Sequence, residues 1–152
     1  MKDMMPDLEH QKFSTACSAT MEDASQTVQA VVSELRSWPS VDVADEVEIV
    51  LAEALTNVVE HAYRDGTAGW IRLRCRACED RLVLSILDGG GGALVKGLPG
   101  ADMPELEVDT SNLPEGGFGW PLIQSLASSV GYRRRLGVNR LEIAFQLGAV
   151  PA

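Results

Sequence analysis

The sequence predicts an α+β fold: a two-layer α/β sandwich, with helices on one face of a mixed, mostly antiparallel sheet. Three observations predict it. Apolar residues recur at helical spacing in three separate stretches, and apolar–polar alternation marks strands elsewhere. Two pairs of these strands are separated only by short polar corners, which reads as two hairpins. The patterns follow the order strand, helix, helix, strand, strand, loop, helix, strand, strand, which suits helices packed on a sheet. With 152 residues the chain is long enough for one domain with a real core.

Taken in order, residues 1–10 read as a loose tail. Lys12 to Ala19 can form an edge strand. From Met21 to Ser37, Ala24, Val28, Val31, Val32 and Leu35 recur at helical spacing. Trp38-Pro39-Ser40 ends that helix, because the residue before a proline avoids the α region. Asp42 or Asp45 can cap the next helix, which runs through Glu53 and Asn57 to about Tyr63. Arg64-Asp65-Gly66 then supplies a turn. Trp70 to Cys78 and Arg81 to Leu87 form a hairpin about Glu79-Asp80, and Leu82, Leu84, Ile86 and Asp88 share one face of its second strand. Residues 89–117 read as a long irregular segment, which in a compact domain is functional or disordered. Helical spacing returns at Trp120, Ile123, Leu126 and Ala127, with Pro121 suited to the first turn. Val130 to Leu136 and Arg140 to Leu147 close the chain as a second hairpin turning at Gly137-Val138-Asn139. The domain is expected to span residues 11–148, with a short tail at 149–152.

The formal net charge is −9. That argues against a general nucleic-acid binder, which needs a basic footprint, and against docking on anionic lipid. No apolar run approaches the ~18 residues of a membrane-spanning helix. The first residues are too polar and acidic for a signal peptide, so a cytoplasmic protein is expected. The three cysteines fit a reducing compartment. Cys75 and Cys78 have Cys-x-x-Cys spacing, but on a strand they would point to opposite faces, and no second Cys or His pair follows at zinc spacing.

The candidate chemistry lies in Glu53-Ala-Leu-Thr-Asn57-Val-Val-Glu-His61-Ala-Tyr63. Glu53, Asn57 and His61 recur every four residues, which on an α-helix stacks them on one face. A carboxylate one turn from a carboxamide suits magnesium-assisted chemistry: the amide oxygen is a hard ligand and the carboxylate can take a proton. His61 could carry a proton or orient neighbouring loops, and Tyr63 reads as a packing residue. Downstream, Asp88-Gly-Gly90-Gly-Gly92 follows the buried strand, and Gly116-Gly117-Phe118-Gly119 precedes a helix. Glycines let a ligand approach the main chain, and helix N-termini attract phosphate. Neither cluster is a Walker motif. Two basic clusters, Arg72, Arg74 and Arg76 along one strand and Arg133-Arg134-Arg135, are either solvated patches or contacts for an acidic partner. The tryptophans Trp38, Trp70 and Trp120 read as core or edge aromatics.

These three segments, in this order, resemble the ATP-binding boxes of the GHKL superfamily (gyrase, Hsp90, histidine kinases and MutL). More narrowly, the chain resembles bacterial anti-sigma-factor serine/threonine kinases over about residues 12–148. The resemblance implies a Bergerat-type ATP-binding fold that takes ATP or ADP with Mg2+. By matching position, Glu53 would be the general base, and Asn57 would ligate magnesium. Asp88 would accept from the adenine amino group. Gly90 and Gly92 would admit the nucleotide, Gly117 and Gly119 would approach its phosphates, and residues 93–115 would form a lid. The implied partners are a sigma factor or analogous target, which the protein sequesters, and a STAS-domain anti-anti-sigma protein, which it phosphorylates on Ser or Thr. A homodimer is implied as well. The chain departs from the family pattern at Leu113-Pro114-Glu115, where some members carry a cation, at Trp120-Pro121, and in having Lys96 as the sole basic residue of the lid. That altered lid leaves open a binding-only regulator working by stoichiometric capture. A third alternative, an ATPase fragment akin to sensor histidine kinases, lacks the helical phosphoacceptor domain.

Overall fold

The computed structural model describes residues 11–63, 69–91, 106–109 and 120–148, with residues 61, 62, 106–109 and 120 described by their backbone alone. The elements run β1 (Gln11–Ser18), α1 (Met21–Arg36), α2 (Ala44–Asn57), a π-helical segment (Val58–Ala62), β2 (Trp70–Cys78) and β3 (Arg81–Asp88). They continue with β4 (Leu106–Asp109), α3 (Trp120–Leu126), β5 (Ser129–Arg135) and β6 (Val138–Gln146). Among the described residues there is one six-stranded sheet in the order β1-β2-β3-β6-β5-β4.

The α+β sandwich is therefore as expected, with one refinement. Every strand pairing among the described residues is antiparallel. Alternation explains the layering. In β2, Ile71, Leu73, Cys75 and Ala77 are buried while Trp70, Arg72, Arg74 and Arg76 are exposed. The buried side packs with Val31 and Leu35 of α1 and with Val47, Val50, Leu51 and Leu55 of α2 in one core.

Helix α1 starts where Thr20 accepts a hydrogen bond from the Asp23 N–H at 3.1 Å, an N-cap that satisfies one of the first unpaired amides. It stops just before Trp38-Pro39 as expected. Trp38 is buried and donates through Nε1 to Glu34 at 3.2 Å. The start of α2 differs from expectation. Val43 occupies the N-cap with no side-chain bond. Asp42 instead accepts from the Gly148 N–H at 3.1 Å, tying the end of the last strand to the helix layer, while Asp45 falls in the first turn.

Two further differences bear on the site. The segment expected to be irregular contains β4, which pairs with β5 from Leu106↔Arg134 to Asp109↔Gly131. The last hairpin turns at Leu136-Gly137, not at Gly137-Val138-Asn139. Both residues have positive φ, 51° and 77°, the requirement of a tight two-residue hairpin turn. Strand β6 thus begins earlier, at Val138, and Asn139 becomes a strand residue paired with Asp88.

Candidate functional site

Strand β3 lies between β2 and β6. Its parity sends Leu82, Leu84, Ile86 and Asp88 to the helix-covered side, and Asp88 is only 1% exposed. A carboxylate this deep needs donors, and the sheet register supplies them. Asp88 stands opposite Asn139, and Asn139 opposite Arg134. Asn139 Nδ2 donates to Asp88 Oδ1 at 2.7 Å and to the Gly90 carbonyl at 3.1 Å. The Gly90 N–H donates to the same Asp88 oxygen at 2.8 Å. Asn139 Oδ1 accepts from the Tyr132 hydroxyl at 2.7 Å and from Arg134 at 2.6 Å, and Arg134 also donates to the Gly90 carbonyl at 2.9 Å.

Burial raises the Asp88 carboxyl above its ordinary 3.8; the bonds from Asn139 and the Gly90 N–H, and the Arg134 charge, pull the other way. Burial, reinforced by the Asp88 charge, likewise pushes the Tyr132 phenol up. The result is a buried acceptor, fixed in orientation, at the end of a central strand.

A second device joins the helix layer to this strand end. Tyr63, just beyond the π segment, donates its hydroxyl to the Trp70 carbonyl at 2.8 Å. It accepts from the Gly89 N–H at 2.7 Å and from the Trp70 N–H at 3.2 Å. One phenol thereby links the start of β2, the end of β3 and the end of the helix that carries Glu53 and Asn57. Glycine is required at two contacts. A Cβ on Gly69 would collide with the Tyr63 ring, and one on Gly89 would lie 2.8 Å from Nε1 of Trp70.

Of the residues expected from sequence, Asp88 and Gly90 meet directly. Asn57 is buried at 3% exposure, and Glu53, one turn earlier on α2, is half-buried. Regular α spacing ends at Asn57, and Val58–Ala62 is π-helical. The His61 side chain, Gly92, Gly117, Gly119, Lys96, the turn at residues 64–66, and the lid apart from β4 lie outside the described residues, as does the tail at 1–10.

Asn139, Tyr132 and Arg134 were not singled out from the sequence as site residues, and Tyr63 only as packing. The available signal was parity. Asn139 shares a face with Leu141, Ile143 and Phe145, so it is a polar residue on a buried row. Arg134, counted above with a surface cluster, follows Val130 and Tyr132 inward.

The fit to a nucleotide can be judged on the donor set. Asp88 is a fixed acceptor of the kind an exocyclic amine needs. Among the described residues no group of three His, Cys, Asp or Glu side chains could hold a metal. A magnesium ion beside Asn57 would take phosphate oxygens and water as further ligands, as magnesium at nucleotide sites does. The cysteines are not a rival centre. All three are free, and burial pushes the Cys75 thiol up to about 12. Among the described residues no helix is long and apolar enough to cross a membrane.

Comparison with known proteins agrees with this fold. The histidine kinase-like ATPase domain family matches residues 17–145. Among curated relatives, the "Serine-protein kinase RsbW" of Bacillus licheniformis is 36% identical over 104 residues, 66% of this chain and 63% of that protein. The protein of the same name from Oceanobacillus iheyensis is 34% identical over 97 residues, covering 62% and 60% of the two chains. That from Bacillus subtilis is 32% identical over 101 residues, covering 64% and 62%. The matched part thus spans about three fifths of each relative's length.

Proposed function

Because the chain belongs to the histidine kinase-like ATPase domain family, we propose that it is an ATP- and magnesium-dependent serine/threonine protein kinase that acts as a partner switch. It sequesters a sigma factor or analogous target, and it phosphorylates a STAS-domain antagonist on Ser or Thr. The kinase name carried by its relatives supports this. The observation that carries it furthest is the buried Asp88, held by Asn139 and the Gly90 N–H at a central strand end.

In this proposal Asp88 accepts the adenine amino group, and Asn139 and Arg134 keep the carboxylate and the Gly90 peptide in place. Gly90, with Gly92, lets the base approach the main chain. Asn57 presents its carboxamide oxygen to magnesium, and Gly117 and Gly119 face the phosphates. When bound, magnesium neutralises charge on the transferring phosphoryl group. Glu53, one turn from Asn57, takes the proton from the attacking hydroxyl, a contribution of about 10²–10⁴-fold. The phosphate left on the antagonist adds nearly two negative charges, which weakens its hold on an acidic surface. A homodimer in the cytoplasm completes the proposal.

The test is a phosphorylation assay with ATP, magnesium and a STAS-domain protein shown to bind the chain. Phosphoserine or phosphothreonine on that protein is expected with wild type and not with Glu53→Gln. Stable binding without any transfer would remove the kinase activity and favour stoichiometric capture, which the scarcity of cations in residues 93–115 also supports.

A further inference from the structure

The sheet has a second face, which no helix among the described residues covers, and its chemistry is the reverse of the molecule as a whole. Along β2, Arg72, Arg74 and Arg76 are exposed in a row. Among the described residues no carboxylate pairs with them. Lys12 on β1 stands opposite Arg76, Arg81 begins β3, and Arg140 on β6 stands opposite Leu87. These six are nearly half of the 13 lysines and arginines in a chain of net charge −9.

Between the arginines of β2 and Arg140 of β6 runs β3, presenting half-buried Val83, buried Ser85 and half-buried Leu87. The result is a trough of about 280 Å³ floored by Val83 and Ser85, with Lys12, Arg74, Arg76 and Arg140 along its walls and Glu142 beside Arg140. Arg140 bonds Glu142 at 3.1 Å and reaches Ser85 at 3.5 Å, yet its buried Nε has no hydrogen-bond partner.

We infer that this trough is the docking surface for an acidic amphipathic helix of a partner protein. The dimensions agree. The walls are two strand spacings apart, about 9.6 Å, close to the ~10 Å diameter of a helix. Successive β2 arginines repeat every ~6.7 Å, and carboxylates at i and i+4 on a helix are ~6 Å apart. A narrow apolar seam on the helix meets Val83 and Leu87, and its acidic flanks meet guanidinium groups that bind carboxylates bidentately. A second copy of the same face is a poor occupant, because two rows of arginine repel. Single-stranded nucleic acid fits less well. Exposed aromatics that stack bases are represented on this face only by Trp70 among the described residues. A long polyanion would also run past the trough toward an acidic remainder.

The face lies across the sheet from Asp88, so its test is independent of nucleotide. Fluorescence anisotropy with the full chain, without nucleotide, would compare three labelled probes. One is a helical peptide with glutamates at i, i+4 and i+8 flanking a leucine seam, one its scrambled counterpart, and one a single-stranded DNA oligonucleotide. The ordered peptide is expected to bind tightest. Arg74→Glu with Arg76→Glu should weaken it about tenfold or more, while thermal melting and nucleotide affinity stay unchanged. Arg74→Gln with Arg76→Gln serves should the reversal impair folding. Equal binding of the scrambled peptide, tighter binding of the oligonucleotide, or unchanged affinity in the folded variants would overturn the inference. So would sedimentation showing that the substitutions dissociate a dimer formed through this face.

Discussion

Asn139→Ala is the most revealing single perturbation of the site. The side chain makes two donations, to Asp88 and the Gly90 carbonyl, and accepts from Tyr132 and Arg134. Truncation leaves a buried carboxylate with one fewer donor and a buried phenol with no acceptor. Each unsatisfied buried group costs about 1–3 kcal/mol. The four bonds form one network and do not add, and Arg134 retains the Gly90 carbonyl, so a loss of about 2–4 kcal/mol is expected. Loss of the Asn139 bond also raises the Asp88 carboxyl further, since that bond lowers it. The carboxylate also loses a bond that fixes its orientation toward the base, and nucleotide affinity should fall by about 10–100-fold. Urea denaturation at neutral pH measures the first effect and titration calorimetry the second. A cycle with Asp88→Asn isolates the pair, with a coupling of about 1 kcal/mol or more expected. A stability change under about 0.5 kcal/mol with unaltered affinity would refute the role given to this network.

Other outcomes follow from the same contacts. Tyr63→Phe keeps the ring but removes three hydrogen bonds at the Trp70 and Gly89 backbone; a loss of about 1–3 kcal/mol and faster amide exchange at Gly89 are expected. Gly69→Ala drives a methyl into the Tyr63 ring, and urea unfolding should show a loss of about 1–3 kcal/mol. Because the folded state raises the Asp88 carboxyl, the native protein holds that proton longer than the unfolded chain does. Its contribution is therefore greatest at low pH and declines as pH rises from 3.8 through the raised value. Asp88→Asn should remove that decline from a stability–pH series. Glu53→Gln should abolish phosphoryl transfer with nucleotide affinity unchanged, and retained transfer would exclude Glu53 as base.

Much of this structure was legible because alternation and helical spacing report which face is buried. The row Ile71, Leu73, Cys75, Ala77 against Arg72, Arg74, Arg76 defined β2 to the residue, and the parity of β3 delivered Asp88 to the core side. What escaped has physical causes. Gly137 and Asn139 are both turn formers, so the hairpin was centred on them. The turn uses Leu136 at φ 51°, 79% exposed, for which local propensity gives no warning. That displacement hid Asn139 and with it the partner of Asp88. The π segment is equally silent, because its residues read as ordinary helix formers. It carries the chain to Tyr63, whose role depends on backbone groups distant in sequence. Strand β4 is four residues long and owes its existence to the edge that β5 offers.

Calorimetric titration of ADP with magnesium into the folded chain, beside Asp88→Asn, probes the pocket most directly. Saturable binding of one nucleotide per chain is expected for wild type, with a severe loss for Asp88→Asn, whose amide would turn a donor toward the adenine amine. An absence of heat with wild type, or equal affinity in the two proteins, would contradict a nucleotide site built on Asp88.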